Sequence, residues 1–410
     1  MAGRYVRRLS ALERSALVIN EIHRYHVDAV IEGIGEVDPQ AMQIAVDRAA
    51  EANPGIRVRL KGFLGFSRWV DSGVSPLVRL MPLSDWDGNS ERGAPFLNER
   101  LDPLHGGPVA DILVVPCKDG STRLVFRTAH AAVDGRGLIH WGTEVFRALR
   151  GEALLGSHST ITDLDVLAQY RDRIPEPPKS PPASIPVLAP AESGRELRYV
   201  WRRVVIKNNV SQLLPKTAAF LAAWARRKQQ GEVCFTIPVD YRGLRTQEMS
   251  IGNLTGYLRL DVPDGASPRA IMQLINRGIR EFHDCRSFPR LMLWIPIWYM
   301  VRQLRRSVDT LLYTVTPGSP SGGIVSMGSL NPEVSAVPGF QPKLISGIPG
   351  SVGKLNVVFL AHPEVTTITF SVPAAYNQHG QLDELVSAYK EHFSRSGPPA
   401  TTATNGDDGR

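Results

Sequence analysis

Apolar positions follow two spacings along the chain, and the change between them places residues 130–135 on a loop. Residues 110–117 form an apolar run and residues 122–128 alternate between apolar and polar, with turn residues between them, which predicts a β-hairpin. After position 135 the apolar residues recur every three or four positions, as in an amphipathic helix that ends near position 150. The loop therefore joins the end of a strand to the start of a helix.

The second half of the chain shows the same mixture of patterns. It predicts strands at 201–207, 232–239, 322–328, 354–361 and 365–372, and helices at 210–228, 268–282 and 382–393. Because strands and helices alternate in both halves, we expect a mixed α/β (α+β) fold.

A proline-rich stretch divides these two halves. Prolines stand at positions 175, 177, 178, 181, 182, 186 and 190, a density that favours an extended linker over a helix or a central strand. The chain has 410 residues, which is enough for two domains of about 150 to 200 residues each. We predict an N-terminal half at 1–173, a linker at 174–196, a C-terminal half at 197–393 and a disordered tail at 394–410.

The loop before the first-half helix reads His-Ala-Ala-Val-Asp-Gly, from His130 to Gly135. A neutral imidazole can accept a proton from a hydroxyl or amine that attacks a thioester, and can return it to the leaving thiolate. Asp134 is suited to hold the loop through an arginine or backbone amides, and Gly135 leaves room for a thin substrate arm. A lone histidine would more simply satisfy a hydrogen bond, but the six-residue pattern favours catalysis.

This pattern resembles the HxxxDG signature of the chloramphenicol acetyltransferase-like superfamily, which includes condensation domains, polyketide-associated acyltransferases and wax ester synthases. Other segments are also similar to that family, namely Arg8-Leu9-Ser10 with Leu12-Glu13, Asn53-Pro54-Gly55-Ile56-Arg57, Pro238-Val239-Asp240-Tyr241-Arg242 and Gly252-Asn253-Leu254-Thr255-Gly256. The likeness covers most of residues 5 to 393. It implies two chloramphenicol acetyltransferase-like domains, built as two-layer sandwiches, in a V-shaped pseudo-dimer with a central substrate tunnel.

The resemblance also implies roles for individual residues. His130, Asp134 and Gly135 match the catalytic motif, and Arg242 matches a second-half arginine that pairs with the motif aspartate. Asn253 lies in a Gly-Asn turn, where its amide either donates to the developing oxyanion or stabilises the turn. We favour the second role for Asn253.

Two positions depart from the family pattern. Condensation domains usually have a second histidine directly before the catalytic one, and this chain has Ala129 there. The Ser-Asn-x-Gly of many relatives is reduced to Ser326-Met327-Gly328, which leaves Ser326 as the candidate on the acceptor side. The motif therefore supports acyl transfer with a single histidine, and does not identify a peptide-bond-forming condensation domain.

Composition favours a cytoplasmic enzyme without a permanently bound cofactor. Hydrophobic residues make up 43% and charged residues 21% of the chain, as in ordinary globular proteins. Cys117, Cys234 and Cys285 have no Cys-x-x-Cys spacing, and His23 and His26 are best explained by an exposed helix face, so we expect no metal site. We find no secretory signal. The net charge of +7 comes from scattered basic residues, so we expect no nucleic-acid binding.

Residues 288–301 form a dense apolar and aromatic segment that contains two prolines and continues into Arg302, Arg305 and Arg306. With about 14 residues it is shorter than the ~20 that span a bilayer. Its simplest interpretation is a helix packed in the core or against the linker. The alternative is a lipophilic surface at 288–306 that contacts a membrane or lines a channel for a long acyl chain.

The sequence lacks the motifs of other enzyme classes. It has no Gly-x-Ser-x-Gly elbow of a serine hydrolase, no P-loop and no complete dinucleotide-binding fingerprint. We predict a monomeric acyltransferase that takes an acyl group from acyl-CoA or from a phosphopantetheinyl acyl or peptidyl carrier protein. The acceptor is the hydroxyl or amine of a lipid or secondary metabolite, and His130 is the general base in a direct transfer. The competing hypothesis is a non-catalytic module on the same scaffold that docks a carrier protein or binds lipid.

Overall fold

A computed structural model describes residues 5–176, 181–190, 198–207, 210–285, 289–313, 318–350 and 353–395. The strands are β1 (Val6–Arg8), β2 (His26–Gly35), β3 (Val58–Lys61), β4 (Arg68–Asp71), β5 (Leu77–Leu80), β6 (Ala110–Pro116), β7 (Ser121–Ala129), β8 (Tyr199–Lys207), β9 (Cys234–Asp240), β10 (Thr255–Asp261), β11 (Gly322–Ser329), β12 (Phe340–Ile348), β13 (Asn356–Ala361) and β14 (Val365–Pro373). The α-helices are α1 (Ala11–Asn20), α2 (Pro39–Ala52), α3 (Gly135–Leu149), α4 (Asp163–Gln169), α5 (Leu213–Arg226), α6 (Pro268–Arg280), α7 (Ile297–Tyr313) and α8 (Gln381–Arg395).

The strands form three sheets. A small sheet has the order β1-β4-β3, a five-stranded sheet β12-β2-β7-β6-β5, and a six-stranded sheet β10-β9-β11-β13-β14-β8. The predicted hairpin is present as the antiparallel pair β6 and β7, and the predicted helix after it is α3. The second-half strands and helices are also present, with ends that differ from the prediction by a few residues, such as α5, which begins at Leu213.

One strand of the second half belongs to the sheet of the first half. β12 pairs antiparallel with β2, with Ile345 opposite Ile31, and forms the edge of the five-stranded sheet. Sequence patterning predicted no strand here, because Pro342 interrupts the run and a bulge separates it from Leu344. The predicted division at 174–196 does not account for this strand, which crosses from one half to the other.

A hydrophobic core lies between sheet and helices in each half. In the first half, Trp141 of α3 packs edge-on against Phe126 of β7, with ring centroids 5.5 Å apart. In the second half, Tyr389 of α8 packs edge-on against Phe370 of β14 at 4.9 Å. Both halves are therefore sheets covered by helices, as the mixed patterns predicted.

The described part of the predicted linker is extended but packed. Ile185, Val187 and Leu188 are buried in the second-half core, and the Ile185 N–H donates to the Glu232 carbonyl at 2.9 Å. Residues 177–180 and 191–197 lie outside the described residues, as do residues 396–410 of the predicted tail. Residues 394–395, which were also assigned to the tail, belong to α8.

Within its described residues, 289–301, the apolar segment does not form a single helix packed in the core, contrary to that part of the simplest interpretation of the sequence. Prolines divide it into a 3₁₀ turn at Arg290–Trp294 and the start of α7, and α7 packs against α1. The side chains of Leu291 and Trp298 are 70% and 66% exposed. Within the described ranges, no helix has both the length and the apolar character needed to cross a membrane.

Candidate active site

His130 directly follows β7, so its position is set by a strand held between two others. Its backbone N–H donates to the Tyr25 carbonyl at 3.1 Å, and its own carbonyl accepts from Asn253 Nδ2 at 2.9 Å. The Tyr25 ring stacks on the imidazole, with centroids 4.8 Å apart and planes at 25°. The histidine is thus fixed from both halves of the protein, and Asn253 acts here on the backbone of the motif.

Burial favours the neutral form of the imidazole. Burial lowers the pKa of His130 below its ordinary value, although a backbone hydrogen bond and the charge of Asp134 act in the opposite direction. A histidine with a lowered pKa is unprotonated near neutral pH and can accept a proton.

Asp134 anchors the other end of the motif. It is the N-cap of α3, where Oδ1 accepts from the Gly137 N–H at 2.8 Å. Its Oδ2 accepts from the Leu254 N–H at 2.9 Å and from Thr255 Oγ1 at 3.1 Å. Burial acts to raise the pKa of Asp134, but the charge of Arg242 and these hydrogen bonds outweigh it and lower the pKa. The carboxylate therefore fixes the loop as a permanent anion.

Arg242 comes from the second half and completes this anchor. Its Nη1 and Nη2 donate to Asp134 at 3.0 and 3.1 Å, which is the pairing that the resemblance implied. The same guanidinium donates to the carbonyls of Ser250 and Gly252, each at 2.6 Å, and to Asp240 at 2.8 Å. Arg242 therefore ties the motif loop to the loop that carries Asn253.

Two glycines of the motif region allow close approaches. A Cβ at Gly135 would lie 2.6 Å from Cε of Met327, the flexible end of a side chain. A Cβ at Gly137 would lie 2.1 Å from the backbone oxygen of Ile251. The first glycine makes room for the Met327 side chain in the cavity wall, and the second lets α3 approach the second half. Sequence reasoning identified Gly135 and missed Gly137.

A cavity of about 690 Å³ runs between the halves and includes the motif. Its wall is mostly apolar, and the predicted residues His130, Asp134, Gly135, Asn253 and Ser326 all belong to it. The wall also includes residues without a sequence signal, among them Tyr25, Tyr257, Val325, Val358, Leu360 and Lys354.

Three further residues considered from the sequence, Ser326, His26 and His105, have local structural contacts. Ser326 is exposed, and its Oγ accepts from the Gly328 N–H at 3.4 Å, a contact within its own turn. His26 does not lie on an exposed helix face as predicted: it is buried at the start of β2, where its Nε2 accepts from the Leu101 N–H at 3.0 Å. His105 is exposed and hydrogen-bonded to Asp102.

Glu21 lies close to Asp102 and His105. One ligand atom from each of the three residues lies within 4.8 Å of the others, so the described residues contain one cluster of potential metal-ligand atoms. Asp102 and Glu21 also approach Arg100, at 3.7 and 3.6 Å, which already balances part of their charge.

No protein-family model matches the chain, and no curated protein matches it in sequence. Solved structures match almost all of it. The first condensation domain of the calcium-dependent antibiotic synthetase, in complex with a substrate analogue, has a TM-score of 0.66 at 16% identity over 96% of both chains. Polyketide synthase associated protein 5 from Mycobacterium tuberculosis has a TM-score of 0.60 at 15% identity, over 97% of this chain and 100% of its own.

The starter condensation domain of rhizomide synthetase, in complex with C8-CoA, has a TM-score of 0.62 at 14% identity, over 95% of this chain and 93% of its own. At such identities the likeness establishes the fold. The predicted fold class is confirmed: the chain is a mixed α/β protein with the pseudo-dimeric, chloramphenicol acetyltransferase-like fold of condensation domains.

Proposed function

We propose that this protein is an acyltransferase that moves an acyl group from a thioester to a hydroxyl or amine, with His130 as general base. The observation that carries the proposal is that the His130 imidazole lies in the wall of a cavity between two halves with a condensation-domain fold, where burial lowers its pKa. Asp134 stabilises the loop and does not take the proton, because Arg242 and the backbone amides hold it ionised.

The proposed reaction is a direct transfer. The acceptor oxygen or nitrogen attacks the thioester carbonyl, and His130 takes the acceptor proton as the new bond forms. The carbonyl oxygen becomes an oxyanion, the C–S bond then breaks, and the leaving thiolate receives the proton from the imidazolium. No covalent enzyme intermediate is formed, and protons and electrons balance.

The donor is acyl-CoA or a phosphopantetheinyl carrier protein. A solved relative in fold is a starter condensation domain in complex with C8-CoA, which supports an acyl-CoA donor. The acceptor is a lipid or secondary metabolite, because the cavity wall is mostly apolar.

The decisive experiment measures acyl transfer from a panel of acyl-CoA thioesters and acylated carrier proteins by intact mass. His130→Ala should lose about 10²–10⁴-fold in turnover, the usual contribution of a general base. His105→Ala is the matched control, since His105 is exposed and lies outside the cavity wall. Full turnover by His130→Ala would overturn the mechanism, and carrier binding without turnover by the unmodified protein would instead favour the non-catalytic module.

We also propose that the described part of the apolar segment and its arginines, residues 289–306, contacts a membrane surface. Phe63 and Phe66 extend this surface, because Phe66 packs edge-on against Trp294 at 5.6 Å. The patch formed by Phe63, Phe66, Trp294 and Trp298 is exposed by 69%, 57%, 53% and 66%, respectively. The arginines at 302, 305 and 306 follow it, which suits anionic headgroups beside inserted aromatic rings.

A further inference from the structure

The charged side chains in the cavity wall are almost all neutralised by protein partners. Asp28 pairs with Arg24, Asp134 with Arg242, Arg136 with Asp240, and Arg259 with Asp261. Lys354 also belongs to this wall, but no carboxylate in the described part of the chain forms an ion pair with it. Its Nζ donates to Ser319 Oγ at 3.5 Å, which is longer than a normal hydrogen bond.

Lys354 is also buried, with only 4% of its surface exposed. Lysine is rarely buried without a counter-charge, because an ammonium group that loses water needs compensation from its surroundings. Burial alone lowers the pKa of Lys354, and no neighbouring acid acts against it. A bound anion would supply the missing partner.

Strand register places Lys354 far from the motif. In the six-stranded sheet, Asn356 of β13 pairs with Gly323 of β11, and Gly323 pairs with Thr236 of β9, both in parallel register. Lys354 lies two residues before Asn356. Lys354 is thus level with the Cys234 end of β9. The motif lies at the other end, because Thr255, which donates to Asp134, pairs with Asp240. Six residues of strand separate the two ends, or about 20 Å.

The wall between these ends is mostly apolar, although Thr236, Tyr257 and Arg259 also line it. Val325 of β11 is level with Val358 of β13, and both line the cavity between Lys354 and the motif. A ligand that spans this distance therefore needs a long, largely apolar middle that joins its two ends.

We infer that Lys354 binds an anionic group, a carboxylate or a phosphate, at the end of a long ligand whose other end reaches His130. The reacting end of this ligand rests on the proposed acyl transfer, whereas the anion site does not. A lysine offers a compact point charge with three donors, so it accepts either anion.

The test is equilibrium binding by calorimetry to three probes: dodecanoate, dodecanol and coenzyme A. Lys354→Met removes the charge and keeps the length of the side chain. It should weaken binding of the anionic probe about tenfold or more, the usual value of a charge-assisted hydrogen bond. Dodecanol should be unaffected, and Lys354→Arg should retain most of the binding. Lys390→Met is the matched control, because Lys390 is exposed on α8.

A loss confined to dodecanoate identifies a carboxylate, and a loss confined to coenzyme A identifies a phosphate. The inference is overturned if Lys354→Met binds both anions as the unmodified protein does, or if the unmodified protein binds neither. Lys354→Met should unfold at the same or a higher temperature, since a buried unpaired charge is removed. Turnover of His130→Ala is measured in a separate experiment. A failure of the acyl-transfer mechanism would therefore not contradict the anion site.

Discussion

Arg242 and Asp134 form a two-point ion pair between the halves of the protein. Both terminal nitrogens of the guanidinium reach the carboxylate, at 3.0 and 3.1 Å, and the side chains are only 9% and 3% exposed. The geometry fixes the orientation of both partners, which a single contact would not do. The loop of His130 therefore depends on a residue that lies more than a hundred positions away in sequence.

Removal of this arginine should be strongly destabilising. Arg242→Ala leaves Asp134 buried without its counter-charge, so we expect a loss of about 3–5 kcal/mol in the free energy of unfolding. Urea unfolding followed by circular dichroism measures the effect. Arg171→Ala is the control, because its ion pair with Asp172 is exposed and should contribute little. Equal stability of the two variants would contradict a structural role for the buried pair.

The acyl-transfer rate should depend on pH through His130. The base works when neutral, so kcat/KM should rise with pH and level off above the His130 pKa, which lies below the ordinary ~6.5. Tyr25→Ala admits water to the imidazole. The pKa of His130 should therefore rise, and the low-pH limb of the kcat/KM profile should move to higher pH. Tyr25→Phe keeps the stacked ring and should leave the limb in place. An unchanged limb in Tyr25→Ala would show that the stacking does not tune the base.

Alanine at the two motif glycines should have different effects. Gly135→Ala meets the flexible end of Met327, so it should reduce turnover, and the additional change Met327→Ala should restore part of it. Gly137→Ala meets the backbone of Ile251, which cannot move aside, so it should lower the unfolding temperature. The same Met327→Ala change should not rescue it. Thermal unfolding and turnover of the single and double variants test both statements.

Asp163 should make stability depend on pH. Burial and the nearby charge of Glu13 raise its pKa to about 7, so the folded protein keeps a proton that the unfolded chain loses near pH ~3.9. Its contribution to stability is complete below about pH 4 and is lost as pH rises through 7. Asp163→Asn cannot ionise, so its stability relative to the unmodified protein should increase across this window. Urea unfolding at several pH values measures this, with the exposed Asp172→Asn as a flat control.

The aromatic patch should bind anionic vesicles. The double change Trp294→Ala and Trp298→Ala should reduce sedimentation with phosphatidylcholine vesicles that contain phosphatidylserine, and added salt should weaken the arginine contribution. Leu155→Ala is the control, because Leu155 is 71% exposed and lies far from the patch in sequence. If the double variant sediments like the unmodified protein, the patch has another role.

The local pattern of apolar and polar residues was sufficient to predict the secondary structure around the motif. The hairpin β6 and β7 and helix α3 were predicted because each has a regular apolar period and a clear turn or cap. The pairing of Arg242 with Asp134 was predicted only through family resemblance, since no local rule connects residues so distant. Tyr25, Gly137 and Lys354 were missed because their roles arise from contacts between elements, which periodicity does not report.

The crossing strand β12 means that the chain cannot be divided into two independent folding units by a cut in the proline-rich stretch. A first-half fragment would expose the backbone edge of β2 between Asp28 and Gly35, where β12 normally pairs. Such an open edge is a template for pairing with other chains. The halves should therefore be soluble when co-expressed, and the first half should aggregate when made alone.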